Sequence, residues 1–258
     1  MSSEAASMSR PAVLDAAAVS HPGHLRQRNE DCCFNAPAHG LSVVADGVGG
    51  QGNGAWASQR AVELFCGRIV GLDMARAERE VREAAILHAL QFTHRQMLAE
   101  NQTSSDKPSG TTIAGIWAPE GAAGFVTIFN VGDSPVFRLS NGSITKVSRD
   151  HSVHQLWLDG GQVGKEPGKR MIVQAVGISE RLSPHIVSFS ILPGDAVLIC
   201  TDGMSMDPAR MSEFLVRARN AQNACDMLLE EALAGAARDN VTVSVCFFEP
   251  GPRPLTAP

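Results

Sequence analysis

The sequence lacks a signal peptide, a membrane-spanning run and the cysteine pairs of a zinc finger. Its start, MSSEAASMSRPAV, has no charged segment followed by a long apolar run, and no apolar stretch is long enough to cross a bilayer. The six cysteines include no CxxC pair, which is typical of thiols kept reduced in a cytoplasm. We therefore expect a cytoplasmic protein that makes no membrane contact.

Basic clusters and internal linkers are also absent. The 22 Lys and Arg residues are scattered among 27 Asp and Glu residues, and the formal net charge is -5. A mildly acidic chain without a basic patch is a poor binder of nucleic acid. No Pro/Ser-rich linker or repeat divides the 258 residues, which are enough for one sizeable core. This predicts a single domain over 11–248, between a disordered N-terminus (1–10) and a flexible tail (249–258).

Hydrophobic periodicity predicts strands and helices in alternating blocks. Apolar, β-rich runs bounded by Gly, Pro or Asn are expected to form strands at 12–20, 41–45, 112–117, 124–131, 135–139, 185–192, 196–201 and 241–248. Helical patterns cover 55–69, 74–100, 208–218 and 221–236. Strands joined by short turns favour antiparallel pairing, and paired helices between them predict an α+β fold with helices covering the sheet faces.

Three local signals refine this pattern. Asp73 is the expected N-cap of the long second helix, whose buried face would include Ile86, Leu90 and Met97. Asn141-Gly142 is a strong two-residue hairpin turn. The segment 159–184, rich in Gly, Pro and basic residues, is predicted to be an irregular loop.

Aspartates recur at the ends of the predicted strands. Asp46 follows an apolar run and precedes Gly47, and Asp133, Asp202 and Asp239 stand in similar places. One such aspartate is ordinary turn chemistry. A carboxylate at the edge of an apolar sheet is costly unless something pairs with it. Four in the same setting predict that the strand ends meet around a cation.

These predicted ligands are oxygens, which favour Mg²⁺ or Mn²⁺ over Zn²⁺ or Cu²⁺. Two such ions bridged by a carboxylate and a water produce a hydroxide near neutral pH that can attack phosphorus in line. The segment GHLRQRNED adds Arg26 and Arg28, either of which could clamp a phosphate, and Glu30 and Asp31, either of which could complete a metal shell. Gly47 is small enough for its carbonyl to approach a metal closely.

At this point the chain resembles a known family, the metal-dependent protein Ser/Thr phosphatases (PPM, or protein phosphatase type 2C) in their short bacterial form. The segments that carry the resemblance follow the family's order and span about residues 12–248. They are GHLRQRNED (23–31), VVADGVGG (43–50), SGTT (109–112), NVGDSPVFRL (130–139), RDHS (149–152), PGDAVLICTDG (193–203) and RDNVTVSV (238–245). Each is weak alone, but seven in order are specific.

The resemblance implies a four-layer α-β-β-α sandwich with two central, mainly antiparallel sheets. It also implies a centre of two metal ions, Mn²⁺ or Mg²⁺. Carried over by motif, Asp46 bridges both ions, the carbonyl of Gly47 holds the first, and Asp202 and Asp239 hold the second.

Further roles follow from the same motifs. Arg26 binds the substrate phosphate, and Glu30 or Asp31 shapes the shell of the second ion. In bacterial members a third, weaker ion is held by the aspartates that correspond to Asp133 and Asp202.

The sequence departs from the family pattern in a few places. Some members have a histidine, a proposed proton donor, where Val48 stands, so a metal-bound water is the expected substitute. The irregular 159–184 segment corresponds to a mobile flap that tunes substrate choice, and it reads Arg170-Met171 where Arg-Asn is common. Ala55 replaces a frequent glutamate. His151 is interpreted as a residue that fixes the local backbone.

The resulting prediction is a monomeric phosphatase that acts on phosphoserine and phosphothreonine in proteins and opposes a bacterial Ser/Thr kinase. Two alternatives remain at this point. A pseudophosphatase would bind phosphoproteins without turnover, although the loss of metal aspartates that would mark it is not seen. Another two-metal hydrolase would act on phosphodiesters or small phosphates, and carboxylate clusters alone cannot exclude it.

Overall fold

A computed structural model describes residues 13–49, 53–74, 77–104, 107–119, 124–235 and 237–249. The strands in these ranges are β1 (Val13–His21), β2 (Asp31–Ala36), β3 (Leu41–Val48), β4 (Gly110–Thr111), β5 (Ile113–Trp117), β6 (Phe125–Val131), β7 (Val136–Ser140), β8 (Ser143–Lys146), β9 (His185–Ser190), β10 (Ala196–Cys200) and β11 (Val241–Glu249). The helices are α1 (Gly54–Ile69), α2 (Arg79–Thr103), α3 (Val153–Asp159), α4 (Pro208–Arg217) and α5 (Ala221–Ala234), with a short 3-10 helix at Pro37–His39.

Two antiparallel sheets form the centre of the fold. The first has the strand order β1-β11-β10-β7-β8, and the second has the order β2-β3-β5-β6-β9 with β4 paired to β3. All strand pairings assigned within the described ranges are antiparallel. The predicted turn at Asn141-Gly142 is confirmed between β7 and β8, with positive φ angles of 51° and 75°, as a two-residue hairpin requires.

Neighbouring residues of the central strands pack into different apolar clusters. In β3, Val43 packs with α1 and α2, whereas Val44 lies between the two sheets. In β10, Leu198 packs with α4 and α5, whereas Ile199 joins Val44. This alternation follows from the two-residue period of a strand, and each such fully buried side chain contributes about 1.5–3 kcal/mol. Helices therefore cover the outer face of each sheet, and the predicted α-β-β-α sandwich is confirmed.

Every predicted strand and helix overlaps an observed one, but the predicted start of the second helix was wrong. The expected N-cap was Asp73, whereas α2 begins at Arg79 with Glu78 as its N-cap. The amide of Ala77 donates to the carbonyl of Met74, three residues back, a hydrogen bond that lies before the helix. The predicted face of Ile86, Leu90 and Met97 is fully buried. Periodicity thus located the helix but not its first turn.

Some elements had no counterpart in the sequence prediction. These are the strands β2 and β4 and the short helix α3. The segment after α3, 160–184, is irregular as predicted and touches regular structure through isolated bridges, Ser152 with Ile172 and Thr111 with Val176.

The predicted ends of the domain are only partly covered. The N-terminus predicted to be disordered (1–10) lies outside the described residues, as does the predicted tail apart from Glu249, which ends β11. None of the described helices has an apolar stretch of the length needed to span a membrane. All six cysteines are free.

Candidate active site

Strand ends from both sheets meet at one edge of the sandwich and form a pocket. Asp46 is in β3, Asp133 follows β6, Asp202 follows β10 and Asp239 precedes β11. The pocket has a volume of about 320 Å³. Seven of the eight predicted site residues line it, namely Arg26, Glu30, Asp46, Gly47, Asp133, Asp202 and Asp239.

The eighth predicted residue, Asp31, does not line the pocket. It pairs with Asp46 across β2 and β3, but its side chain is buried beneath the pocket. Its Oδ2 accepts hydrogen bonds from the hydroxyls of Thr201 (2.9 Å) and Thr242 (2.7 Å). Burial raises its pKa to about 6 despite these bonds. Of the two residues predicted to complete a metal shell, the structure brings only Glu30 to the pocket wall.

The carboxylates of the pocket crowd one another. Burial, reinforced by the charges of Asp31, Asp202 and Asp133, raises the pKa of Asp46 to about 9. Burial and the charge of Asp202 raise the pKa of Asp133 to about 7. Burial also raises the pKa of Asp202, which Arg170 and a hydrogen bond with Asp46 partly oppose. Such a cluster is stabilised by protons or by bound cations, since either removes the mutual repulsion.

Two arginines reach the same carboxylates. The guanidinium of Arg26 binds Asp239 with both ends, from Nε to Oδ1 at 2.9 Å and from Nη2 to Oδ2 at 2.9 Å. Arg170, in the irregular segment, lies 3.6 Å from Asp202 Oδ2 through Nε and 3.5 Å from Asp239 Oδ2 through Nη1. The contact of Arg170 with the site carboxylates was missed from the sequence, where the signals were its place in the predicted flap and the Arg-Asn pair common there in the family.

The end of β3 packs so closely on the start of α1 that only glycine fits at positions 47 and 54. A Cβ on Gly47 would lie 2.1 Å from the carbonyl oxygen of Gly54 and 2.7 Å from that of Glu30. A Cβ on Gly54 would lie 2.9 Å from the carboxylate of Glu30. The close approach keeps backbone carbonyls and the Glu30 carboxylate beside Asp46, a set of donors suited to a hard divalent cation.

The donor set therefore fits Mg²⁺ or Mn²⁺, but its side chains are not arranged as a closed shell. Among the described residues, no three Asp, Glu, His or Cys side chains converge as ligands of one ion. Side-chain rotations of Asp202 and Asp239, both engaged by arginine, would be needed to complete such a shell. The metal roles of the predicted residues stay predictions.

Asn240 holds the GHLRQRNED segment in place, a role that was missed from the sequence. Its Oδ1 accepts a hydrogen bond from the amide of Glu30 at 2.8 Å. Its Nδ2 donates to the carbonyls of Pro22 and Arg28, each at 2.9 Å. This one side chain therefore joins the start of β11 to the segment that carries Arg26. The RDNVTVSV motif contained the residue but gave no indication of these partners.

Two further side chains set the backbone around the aspartates. The hydroxyl of Thr112 accepts a hydrogen bond from the amide of Asp46 at 2.9 Å. The Nδ1 of His151 accepts one from the amide of Gly132 at 3.1 Å, just before Asp133. The interpretation of His151 as a residue that fixes the backbone is therefore confirmed.

The sequence also matches proteins of known family. The family model described as protein phosphatase 2C matches residues 23–235. The serine/threonine phosphatase stp of Listeria innocua is 28% identical over 234 residues, which cover 86% of this chain and 90% of that protein.

Solved structures agree with the sequence match. PppA of Pseudomonas aeruginosa superposes with a TM-score of 0.79 at 28% identity, over 92% of this chain and 99% of that one. The catalytic domain of the serine threonine protein phosphatase PstP, solved in complex with two manganese ions, has a TM-score of 0.78 at 25% identity, over 92% and 99% of the two chains.

Proposed function

The chain belongs to the protein phosphatase 2C family, and we propose that it hydrolyses phosphoserine and phosphothreonine side chains of proteins with the help of divalent cations. The observation that carries this proposal is a single pocket in which Asp46, Asp202 and Asp239 face Arg26. Carboxylates supply ligands for cations, and a guanidinium supplies a two-pronged donor for phosphate oxygens.

Asp46, the carbonyl of Gly47, Asp202 and Asp239 would hold two ions, Mn²⁺ or Mg²⁺. Asp133 and Asp202 would hold a third, weaker one. The PstP structure with two manganese ions supports the count of two and the choice of Mn²⁺. Bound there, divalent cations would lower the pKa of a water beside the phosphorus and offset the charge of the phosphate.

Arg26 would orient the phosphate. Its guanidinium lines the pocket and is half exposed, so it can exchange the carboxylate of Asp239 for phosphate oxygens without a backbone movement. The segment that carries it is fixed by Asn240 and by Gly23, where a Cβ would lie 2.1 Å from the carbonyl oxygen of Asp239. The chain therefore presents Arg26 on an ordered support next to the carboxylates.

The reaction is an in-line hydrolysis. The oxygen of water bonds to phosphorus as the bond from phosphorus to the Ser or Thr oxygen breaks, and the leaving oxygen takes up a proton. Val48 lines the pocket but cannot donate a proton, so we assign this proton to water.

The substrates are phosphorylated proteins. A Ser/Thr kinase must supply them by transferring phosphate to their Ser and Thr side chains. Opposition to such a kinase, location in the cytoplasm and a monomeric state stay predictions from the sequence. The boundaries of a single domain at 11–248 also stay a prediction.

The test is hydrolysis of a phosphothreonine peptide by the purified protein with Mn²⁺, with Asp46→Ala and a chelator as controls. The expected result is turnover that both controls abolish. Binding of the peptide without turnover would favour the pseudophosphatase. Faster hydrolysis of nucleotides or phosphodiesters in the same panel would favour another two-metal hydrolase.

A further inference from the structure

A second cavity opens beside the catalytic pocket. It has a volume of about 460 Å³ and shares Arg170 and Asp239 with the pocket. Its other walls come from the loop after β10, the first half of α4 and the end of α5 with the residues that follow. We call this cavity the side groove. Because the two spaces have walls in common, a ligand bound in one can continue into the other.

The side groove is lined by three arginines and three carboxylates, and its net charge becomes positive when Asp239 binds a cation of the proposed centre. Its arginines are Arg170, Arg210 and Arg238, and its carboxylates other than Asp239 are Asp207 and Glu231. Asp239 is left out because its charge belongs to the proposed cation centre. Three guanidinium groups therefore face two carboxylates.

The positive charges of the side groove differ in how they are balanced. Arg210 is paired with Glu231 at 3.0 Å and with Glu213 at 2.6 Å, so its charge is largely neutralised. Asp207 caps α4, where its Oδ1 accepts a hydrogen bond from the amide of Ala209 at 2.8 Å. The positive end of the helix already compensates that carboxylate.

The positive charges of the other two arginines, Arg170 and Arg238, are not fully neutralised by carboxylates of the groove. Arg238 is exposed and forms no ion pair with any residue in the described part of the chain. Arg170 lies 3.5–3.6 Å from Asp202 and Asp239, too far for strong hydrogen bonds. When those carboxylates bind cations, Arg170 and Arg238 are left to bind a different anion.

We propose that the side groove binds the substrate polypeptide next to its phosphorylated residue and favours acidic side chains there. This inference rests on the proposed phosphatase function. An extended chain advances about 3.3 Å per residue, so the immediate neighbours of a phosphoresidue held at Arg26 reach the shared wall at Arg170 and then the groove. Met206 and Ala232 line the groove as well and give the peptide stem an apolar surface to pack on.

The experiment compares phosphothreonine peptides whose neighbouring residues are acidic, neutral or basic, with p-nitrophenyl phosphate as a substrate too small to reach the groove. The Mn²⁺-loaded wild type should hydrolyse the acidic peptide with a kcat/KM at least about fivefold above that of the basic peptide. Two or three surface charge pairs produce effects of this size. The preference should shrink in about 0.5 M NaCl, which screens exposed charges.

Charge reversal at the groove wall tests the assignment directly. Arg238→Glu should shift the acidic-to-basic ratio of kcat/KM by at least about tenfold, mainly through KM, and should change the ratio far more than it changes hydrolysis of p-nitrophenyl phosphate. Ser205→Glu places a negative charge on another exposed wall of the groove. It should shift the acidic-to-basic ratio in the same direction. This second variant is needed because Arg238 is next to Asp239 in the chain, and Arg238→Glu alone could disturb that aspartate.

Arg219→Glu is the matched control, because Arg219 is exposed between α4 and α5, lines neither cavity and undergoes the same change of charge. It should leave the ratio within about twofold. An unchanged ratio in both groove variants, with peptides still hydrolysed, would overturn the side-groove assignment alone. Failure of the Mn²⁺-loaded wild type to hydrolyse any peptide would instead overturn the proposed phosphatase function.

Discussion

Two aspartates near the ends of β10 have opposite surroundings. Asp195, just before the strand, is almost fully buried and is satisfied within the chain. Its Oδ2 accepts hydrogen bonds from Arg138 Nη2 at 2.6 Å and from the amide of Leu192 at 3.0 Å. Asp202, just after the strand, lies among other carboxylates, shares a hydrogen bond with Asp46, and is 3.6 Å from the guanidinium of Arg170.

The difference separates a structural carboxylate from one that we propose as a metal ligand. The negative charge of Asp195 is compensated by a partner that folding itself supplies, so it strengthens one end of the sandwich. Burial raises the pKa values of Asp46, Asp133 and Asp202, and the charge of a neighbouring carboxylate adds to each rise, so folding alone leaves their charges poorly compensated. A protein tolerates such a cluster at a cost in stability when a ligand is to supply the opposite charge.

Replacing Asp202 and Asp195 in turn should produce the largest difference between them in catalytic activity. Asp202→Asn should lower kcat with saturating Mn²⁺ by at least about 10³-fold, because it removes a proposed ligand of the cations that stabilise the reacting phosphate, a contribution of about 4 kcal/mol. Asp195→Asn should leave kcat of the folded fraction within about threefold. Steady-state kinetics on a phosphothreonine peptide measures both, and equal losses in the two variants would contradict the distinction.

For stability the order should be reversed, and replacement of Asp195 should cost more free energy of unfolding than replacement of Asp202. Asp195→Ala should lower the free energy of unfolding by about 3 kcal/mol, because it leaves Arg138 without its partner. Urea denaturation measures this loss. Glu63→Ala is the control, since Glu63 is 71% exposed in its pair with Arg60, and it should cost less than about 1 kcal/mol. A loss at Asp195 no larger than that of the control would show that the pair adds nothing to the fold.

The two arginines of the GHLRQRNED segment should also differ in how much their replacement lowers kcat/KM. Arg26 lines the pocket, whereas Arg28 is exposed and does not. Arg26→Ala should lower kcat/KM by about 10–100-fold, because a bidentate contact to phosphate is lost. Arg28→Ala should stay within about twofold on the same substrate. The reverse order would mean that the wrong arginine was assigned to the phosphate.

The sequence predicted the positions of the pocket aspartates because their signals are local. Asp46 and Asp202 each follow a run of apolar residues that is buried in the structure, and each precedes a glycine. A strand end of this kind can be recognised without knowing its neighbours. The hydrophobic pattern also predicted the helices α1, α2, α4 and α5, whereas their arrangement in two layers was predicted from the family resemblance.

What was missed depends on neighbours distant in the chain. Arg170 lies in a segment without periodicity, and only the tertiary fold brings it to Asp202 and Asp239. Asp31 begins a strand that pairs with β3, and its inward direction follows from the hydroxyls of Thr201 and Thr242, about 170 residues and more away. No local pattern distinguishes it from Glu30, which is why the sequence left both open.

Stability without metal should depend on pH in a direction set by the pocket. The folded-state pKa values of Asp46 and Asp133, about 9 and about 7, lie above the ordinary value of 3.8. Between those limits the folded protein holds protons that the unfolded chain has released, so stability falls as pH rises. His94, His151 and His185 have pKa values lowered by burial below 6.5 and oppose this trend only below about pH 6.5.

The six cysteines, whose pKa values burial raises above 9.0, add to this fall towards pH 8.5. The difference between wild type and Asp46→Asn therefore isolates the carboxylates in the window from about pH 6.5 to 8.5. We expect the metal-free protein to lose about 1–2 kcal/mol across it, since each pH unit is worth at most about 1.4 kcal/mol per retained proton. Asp46→Asn should reduce the dependence of the free energy of unfolding on pH and should stabilise the metal-free protein by about 1 kcal/mol at the alkaline end. Saturating Mn²⁺ should stabilise the wild type more than the variant. Urea denaturation across the window measures all three quantities. A metal-free wild type that grows more stable as pH rises would mean that the pocket carboxylates do not repel one another, and the contrast with Asp195 would then be lost.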